Sequence, residues 1–296
     1  MPRPALSAIR PEPATPFQRL SARARAALLQ HIEAMAVEKS EEHWAVLPPD
    51  LGKRQRAQVT RIGDAFLTRL GTSDALRMNR VTGFGHLGKA EAPMVDEIIA
   101  WYRAGRLERF SVELGPGPQE EAIARWLGAR GMVESGGTVL LVRDMRLAVP
   151  AAPRGVRVVR ATHAQIPIAV EILGTAFASP PSRRSWALAG ARAEGLEQYM
   201  GFVGDIPAGV GVLRVDRDLA WMGGGATLTH WRRRGVHAAL IIARLRRAAR
   251  AGARWAWVET SVPVPGRPDG SRRNLLKLGF EQVCEKRRFV WSEGWS

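Results

Sequence analysis

The chain has 296 residues, of which 46% are hydrophobic, enough for two ordinary domains with buried cores. Its net charge is +16, and residues 151–296 hold 23 Lys and Arg against 11 Asp and Glu, a balance that can serve nucleic acid, an anionic cofactor or solubility alone. The single cysteine excludes an intramolecular disulfide and a cysteine-rich metal site, and no apolar run approaches the roughly 20 residues that span a bilayer. The start of the chain does not resemble a secretory signal, so we expect a cytoplasmic protein with no membrane partner and no metal.

Local patterns predict a first half built from alternating helices and strands. Residues 1–16 are rich in proline, and we expect them to be disordered. Apolar spacing predicts helices over residues 17–37, 93–104 and 119–129, and strands over 64–69, 78–85, 109–114 and 137–143. Residues 147–154 are interpreted as a linker between a domain over 17–146 and a second domain over 155–296.

The second half predicts a similar mixture of helices and strands. A strand over 156–160 precedes helices over 163–177 and 185–199 and a strand meander over 201–215. A further strand leads into a basic turn and a long helix, and a strand over 254–259 follows. A loop rich in proline and glycine, a short helix over 271–278 and a strand over 281–291 complete the chain.

The strand, turn and helix within Ala220–Gly252 are predicted to carry the chemistry. The apolar residues from Ala238 onward fall on one face of the helix, and we expect Arg244, Arg246, Arg247 and Arg250 to point away from that face. The turn Arg232–His237 stands at the helix N-terminus, where unpaired backbone N–H groups and the positive end of the helix dipole favour an anion. Gly235 allows the backbone to approach closely, and three consecutive arginines add charge. The segment therefore predicts a phosphate-binding loop.

This turn resembles the acyl-CoA loop of the GNAT-type N-acetyltransferase superfamily. In that loop a Gln or Arg is followed three residues later by Gly, and two residues after that by Gly or Ala. Arg232 and Gly235 match the pattern, whereas His237 stands where a small residue is usual. A short helix that ends on Gly279-Phe280 before the last strand is the second similarity. The resemblance covers about residues 155–292.

The resemblance implies an α/β (α+β) fold with tandem GNAT-like domains. Each domain is expected to be a mixed, mostly antiparallel sheet with a splayed central parallel strand pair, flanked by helices. A weak internal repeat supports the tandem arrangement, because Val112-Glu113 and the helix and strand after it parallel Val258-Glu259 and its successors. The first half lacks the arginine–glycine pattern before its helix, so we expect it to be a degenerate copy without cofactor binding. Chance similarity of two mixed α/β domains is the alternative.

The resemblance also implies that acetyl-CoA is the cofactor and indicates which residues hold it. The pantetheine arm would pair with exposed backbone at the end of the strand like an added strand, the diphosphate would take N–H groups from the turn, and Asn274 could bond a pantetheine amide. The predicted cofactor-binding residues are Ala226, Thr227, Leu228, Thr229, Arg232, Arg233, Arg234, Gly235, Val236, His237, Ala238 and Asn274.

Acetyl transfer needs a deprotonated amine, support for the carbonyl oxygen and a proton for the thiolate. The N–H of Leu228 is predicted to support the oxygen, and Glu259 at the end of a strand is the candidate base, with His230 a lesser one. Glu259 could equally pair with a nearby arginine. Many superfamily members carry a tyrosine where this chain has Leu275, so the acid is predicted to be Ser271 or solvent.

The resulting interpretation is an N-acetyltransferase that moves acetyl from acetyl-CoA to a primary amine by direct attack in a ternary complex. The acceptor is expected to be a small-molecule or peptide amine, and the protein a monomer or homodimer. Two alternatives remain: a catalytically inactive, basic binding module for RNA or ribosomes, and an aminoacyl-tRNA-acetylating enzyme. The abundant arginine is compatible with nucleic acid but does not favour it.

Overall fold

The computed structural model describes residues 14–266 and 269–294. Residues 1–13 of the predicted disordered segment lie outside the described residues. The segment 14–16 is held in place, which corrects that part of the prediction: the hydroxyl of Thr15 and the N–H of Phe17, at 2.9 Å, both bond the Glu281 carboxylate. Within these ranges no helix combines the length and apolar character needed to cross a membrane.

The first half of the chain contains two elements that the sequence pattern did not predict, α2 and β1. Its elements are α1 (Ala22–Ala45), α2 (Pro49–Gln55), β1 (Ala57–Ile62), β2 (Ala65–Leu70), β3 (Arg80–Thr82), α3 (Ala92–Ala104), β4 (Arg109–Leu114), α4 (Glu120–Gly128) and β5 (Val133–Asp144). The Ser21 side chain accepts a hydrogen bond from the N–H of Ala24 and so fixes the start of α1. Strand β1 lies at the sheet edge with no buried residue, so it has no apolar alternation to reveal it.

The second half follows the predicted order with one correction. Its elements are β6 (Arg157–Arg160), α5 (Ile166–Ala176), α6 (Pro181–Gly190), β7 (Leu196–Val203), β8 (Ile206–Asp216), β9 (Leu219–Thr227), α7 (Val236–Arg250), β10 (Trp255–Ser261), α8 (Gly270–Lys277) and β11 (Glu281–Ser292). The helix predicted over 185–199 is wrong beyond Gly190, because Gly195 adopts a φ of +77° and turns the chain into β7.

All eleven strands form one mixed sheet in the order β1-β2-β3-β4-β11-β5-β10-β9-β8-β7-β6. Two neighbouring pairs are parallel, β3 with β4 and β9 with β10, and the other neighbours are antiparallel. Each half of the chain thus contributes one parallel pair with antiparallel strands on both sides. The predicted mixed α/β fold with two splayed parallel pairs is confirmed.

The two halves exchange their last strands at the centre of the sheet. Strand β11 of the second half lies between β4 and β5 of the first half, and β5 lies between β11 and β10. The exchange removes two edges that would otherwise expose unpaired N–H and C=O groups. The strands of the two halves therefore form one continuous sheet. The division of the chain into two domains at residues 147–154 stays a prediction.

Helices cover both faces of the sheet. One face, here called the α7 face, packs α7 and α8 against apolar side chains such as Leu141, Met222 and Val258, and packs α3 and α4 against Val112 and Phe289. The opposite face, here called the α1 face, carries α1 across the sheet centre and α5 and α6 beside it. Glu113 and Glu259, the paired residues of the internal repeat, each follow a residue directed to the α7 face, so both point to the α1 face.

Candidate functional site

The parallel strands β9 and β10 separate into a V-shaped opening. Pairing between β9 and β10 covers only Leu219–Trp221 against Trp255–Trp257. Beyond these residues β9 continues to Thr227 and β10 to Ser261 without pairing to each other. Backbone groups at these strand ends are left for another partner. We call this opening the V; its closed end lies at Trp221 and Trp257.

A β-bulge bends β9 away from β10 just beyond the closed end of the V. Gly224 and Gly225 lie opposite the single residue Gly211 of β8, and Gly224 adopts a φ of +55°. The bulge is the reason for three successive glycines in this strand.

A buried arginine holds the bulge in shape. The guanidinium of Arg244 donates hydrogen bonds to the carbonyl oxygens of Val212 at 3.0 Å and Gly223 at 3.1 Å. Arg244 is 2% exposed, so the prediction that all four helix arginines point away from the buried face is wrong for this one. Burial lowers the pKa of its guanidinium to about 10.

The open end of the V meets the basic turn before α7. Gly235 caps the helix with a φ of +80°, and Arg233 adopts a φ of +64°. The six amides of residues 233–238 have no acceptor in the part of the chain that the structure describes. A Cβ atom on Gly235 would lie 2.8 Å from the Cβ of Pro153, so only glycine fits the turn. These amides form a cluster of donors for an anion.

The three arginines of the turn add charge that nothing in the described chain neutralises. Arg232, Arg233 and Arg234 are exposed and make no ion pair with any described carboxylate. Arg232 donates to the Thr227 carbonyl oxygen at 3.4 Å, and Arg234 lies over the Trp231 ring at 5.0 Å. Cations at a helix N-terminus are unfavourable unless an anion is present.

The residues present fit the diphosphate and pantetheine arm of a CoA thioester. The turn supplies unpaired amides and cations, and the V supplies unpaired strand edges. The buried Thr227 hydroxyl has no hydrogen-bond partner among the described residues, so a polar ligand group could satisfy it.

His237 occupies the small-residue position of the turn as a neutral side chain. Its Nδ1 accepts a hydrogen bond from the Asn274 amide at 3.2 Å, so the single N–H of the neutral ring lies at Nε2. Burial, and then the charge of Arg244, lower the pKa of His237 to about 4. The side chain of Asn274 on α8 thus reaches the first turn of α7, where its amide bonds His237; its predicted bond to a pantetheine amide stays a prediction.

No protein-family model matches the sequence, and no curated protein matches it. Solved structures do. A GCN5-related N-acetyltransferase (GNAT) from Kribbella flavida superposes with a TM-score of 0.59 over 89% of this chain and 96% of its own, at 19% identity. A second one, from Sphaerobacter thermophilus, gives a TM-score of 0.58 over 79% of this chain and 82% of its own, at 14% identity. A tandem GNAT protein from the clavulanic acid biosynthesis pathway gives 0.56 over 80% and 82%, at 17% identity.

The chain has the GNAT fold. The resemblance inferred from the turn is confirmed at the level of fold, and a protein described as a tandem GNAT is among the structures that this chain resembles. These identities carry no information about the reaction or the acceptor.

The loop before α3 in the first half differs from the turn before α7. Asp64 accepts hydrogen bonds from the amides of Gly85 at 3.3 Å, Leu87 at 2.8 Å and Gly88 at 2.9 Å. This carboxylate therefore occupies three backbone donors that an anion would otherwise attract. The loop of the first half is satisfied by the chain's own carboxylate, whereas the loop of the second half is not.

The predicted role of Leu228 needs correction. Its N–H donates to the Ala208 carbonyl oxygen at 3.0 Å, so it is not available to a ligand. Successive residues of a strand direct their N–H groups to opposite edges, and Thr227 pairs with Gly209 on β8. The N–H of Thr227, one residue earlier, therefore faces into the V.

Glu259 lies on the α1 face beside the V and pairs with a buried lysine rather than an arginine. Lys286 lies 3.0 Å from Glu259 and 2.6 Å from Glu33 of α1, and it is 3% exposed. Burial alone would lower the pKa of Lys286, but the charges of Glu259, Glu33 and Glu113 raise it above its ordinary value. No local pattern pointed to Lys286, because strand exchange brings it to this place.

The other predicted residues take three kinds of position. Ala226 and Val236 are buried, Thr229 and His230 are exposed in a short 3₁₀ turn, and Ala238 is half-buried in the first turn of α7. Ser271 is exposed in the first turn of α8, and Leu275, which replaces the usual tyrosine, is 2% exposed in the core. No described contact joins Ser271 to the V, so its role as the acid stays a prediction.

Proposed function

We propose that the protein transfers an acetyl group from acetyl-CoA to a primary amine in a ternary complex. The observation that carries this proposal is the continuity of the V with six unpaired amides and three unneutralised arginines at its open end. An anion held at the turn and a chain lying along β9 would satisfy both sets of groups.

The cofactor-binding residues follow from this arrangement. The amides from Arg233 to Ala238 would hold the diphosphate, and the guanidinium of Arg232 would add charge. Thr227 would offer its N–H and hydroxyl to the arm, in place of Leu228. Acetyl-CoA, when bound, supplies an acyl group activated as a thioester. The neutral His237 and its partner Asn274 would form the wall of the V near α7.

Glu259 would act as the general base for the acceptor. Its carboxylate is 25% exposed beside the V, so it can take a proton from an acceptor ammonium directly or through water. Lys286 would orient the carboxylate, because a 3.0 Å ion pair fixes one oxygen and leaves the other free. The thiolate would receive its proton from solvent or from Ser271, since Leu275 is buried and carries no proton.

The test is acetyl-CoA turnover with a panel of primary amines, measured from the CoA thiol that is released. Glu259→Gln should lower kcat by about 10²- to 10⁴-fold, the usual contribution of a general base. Glu113→Gln is the matched control, since Glu113 holds the equivalent place in the first half, away from the V, and should leave kcat within about threefold. Equal loss in both variants would assign Glu259 a structural role.

The alternatives stay distinguishable. A catalytically inactive module for RNA or ribosomes would retain RNA with a steep salt dependence and turn over no amine. An aminoacyl-tRNA-acetylating enzyme would show both RNA retention and turnover with that substrate. The proposed acceptor is a small-molecule or peptide amine, because the described aromatic side chains Trp221, Trp255 and Trp257 pack in the core instead of lining a basic groove. A cytoplasmic location and a monomer or homodimer remain part of the proposal.

A further inference from the structure

A second amine-bearing group lies beside the V and has no place in the proposed mechanism. Lys39 of α1 holds its ammonium 4.2 Å from the centre of the Trp221 ring. Trp221 is the last residue of β9 that pairs with β10, and it packs with Trp257 and the apolar residues of α1. Lys39 therefore lies on the α1 face, above the closed end of the V.

The Trp221 ring brings Lys39 close to the backbone of the V. A Cβ atom on Gly223 would overlap the Cζ2 atom of Trp221, so the ring lies directly over Gly223, the residue just before the bulge. The four-carbon stem of lysine gives Nζ enough freedom to move from the ring face to its edge, beside the V. A chain lying in the V from the turn inward would end at this place.

Lys39 also lacks the ion pair that would hold it as a cation. In the described part of the chain, no carboxylate lies within ion-pair distance of its Nζ. The titratable groups that face it are Arg80 on β3, Glu259 on β10, Lys286 on β11, Arg214 on β8 and, on its own helix, the neutral His43, whose pKa burial lowers to about 3.

Two of these charges explain why the amine loses its proton easily. Lys286 takes Glu259, the one anion of the set, into its own ion pair. Burial, followed by the charge of Arg80, lowers the pKa of Lys39 to about 8, so about half of it is neutral amine at pH 8. A neutral amine is the nucleophilic form.

We propose that Lys39 is an internal acetyl acceptor, modified by acetyl-CoA bound in the V when no external amine occupies the α1 face. This inference rests on the proposed function. The Nζ lone pair of Lys39 forms the new bond to the acetyl carbon, and the C–S bond of the thioester breaks with its electron pair going to sulfur. The proton lost by Nζ passes to the thiolate through water or through Glu259, which gives an amide and free CoA thiol. Acetylation removes one cation from the α1 face and fills the space of the acceptor amine.

The test uses the five lysines of the chain as internal standards. Purified full-length protein is incubated with acetyl-CoA at pH 8, and acetylation of each lysine is followed by peptide mass spectrometry. Lys89 is 79% exposed and reports uncatalysed acetylation, whereas Lys286 is buried in ion pairs and should stay unmodified. Lys39 should be acetylated at least about tenfold faster than Lys89, because a held thioester raises the effective concentration of the donor. Gly235→Ala should slow Lys39 and leave the rate at Lys89 unchanged.

Thermal unfolding with and without acetyl-CoA is measured on the same protein. The Lys39→Arg variant, which cannot be acetylated at this position, reports the stabilisation that comes from binding alone. If acetyl-CoA raises the midpoint but Lys39 is acetylated no faster than Lys89, the inference about Lys39 is wrong and the proposed function stands. If acetyl-CoA raises no midpoint and Lys39 stays unmodified, both are wrong.

Discussion

The carboxylate of Asp64 should stabilise the protein by holding the loop before α3. It accepts three backbone hydrogen bonds at 2.8, 2.9 and 3.3 Å from the loop before α3. A hydrogen bond to a charged group contributes about 1.5–3 kcal/mol, but water can replace part of it because two of the three are exposed. We therefore expect Asp64→Ala to lower the free energy of unfolding by roughly 2–3 kcal/mol, and Asp64→Asn by about half as much.

Urea unfolding followed by tryptophan fluorescence measures this change, with Asp74→Ala as the control. Asp74 is exposed and makes no hydrogen bond or ion pair within the described residues, so its loss should cost less than about 0.5 kcal/mol. Sulfate should restore more stability to Asp64→Ala than to the unsubstituted protein, because it can occupy the vacated donors. Equal stability of the Asp64 and Asp74 variants would mean that the carboxylate does not hold this loop.

Three further predictions concern buried polar groups of the second half. The pKa of His237 is lowered to about 4, so below pH 6.5 the unfolded chain binds a proton that the folded chain does not, and stability falls as the pH drops. His237→Asn should remove roughly 2 kcal/mol of this loss of stability between pH 7 and pH 5, measured by urea unfolding at both pH values. Lys286→Met should cost about 3–5 kcal/mol because it leaves Glu33 and Glu259 without their cation, and adding Glu33→Gln should recover part of it; no recovery would contradict the pairing. Arg244→Met should cost about 1–3 kcal/mol for each carbonyl left without its donor, and a melting temperature equal to that of the unsubstituted protein would argue against a structural role.

Features that depend on neighbouring residues could be predicted from the sequence. The turn from Arg232 to Gly235, the helix after it and the glycine bulge in β9 each rest on residues within a few positions of one another. Backbone conformations of this kind are local, because φ above zero selects glycine and a helix N-terminus leaves its amides unpaired. The parallel pairs were expected only from the resemblance to the GNAT-type fold.

Features that depend on register or on distant pairing could not be predicted in this way. The edge to which the N–H of Leu228 points depends on its partner Ala208, and a shift of one residue would reverse it. The exchange of β5 and β11 brings Lys286 beside Glu259, although β5 of the first half separates their two strands. Arg244 is polar in sequence and buried in the fold because the bulge carbonyls need a donor.

Calorimetric titration with acetyl-CoA will decide whether the turn before α7 binds a CoA thioester. Gly235→Ala places a side chain at a φ of +80° and 2.8 Å from Pro153, and Gly252→Ala imposes a similar φ of +84° at the far end of the same helix with nothing within 4 Å. Both carry a backbone cost of roughly 1–2 kcal/mol, so they differ in the contact with Pro153 and in their distance from the turn. We expect one saturable acetyl-CoA site in the unsubstituted protein and in Gly252→Ala. Binding to Gly235→Ala should be at least about tenfold weaker, a difference of about 1.4 kcal/mol. Equal affinity in the two variants, or no binding to the unsubstituted protein, would contradict this expectation.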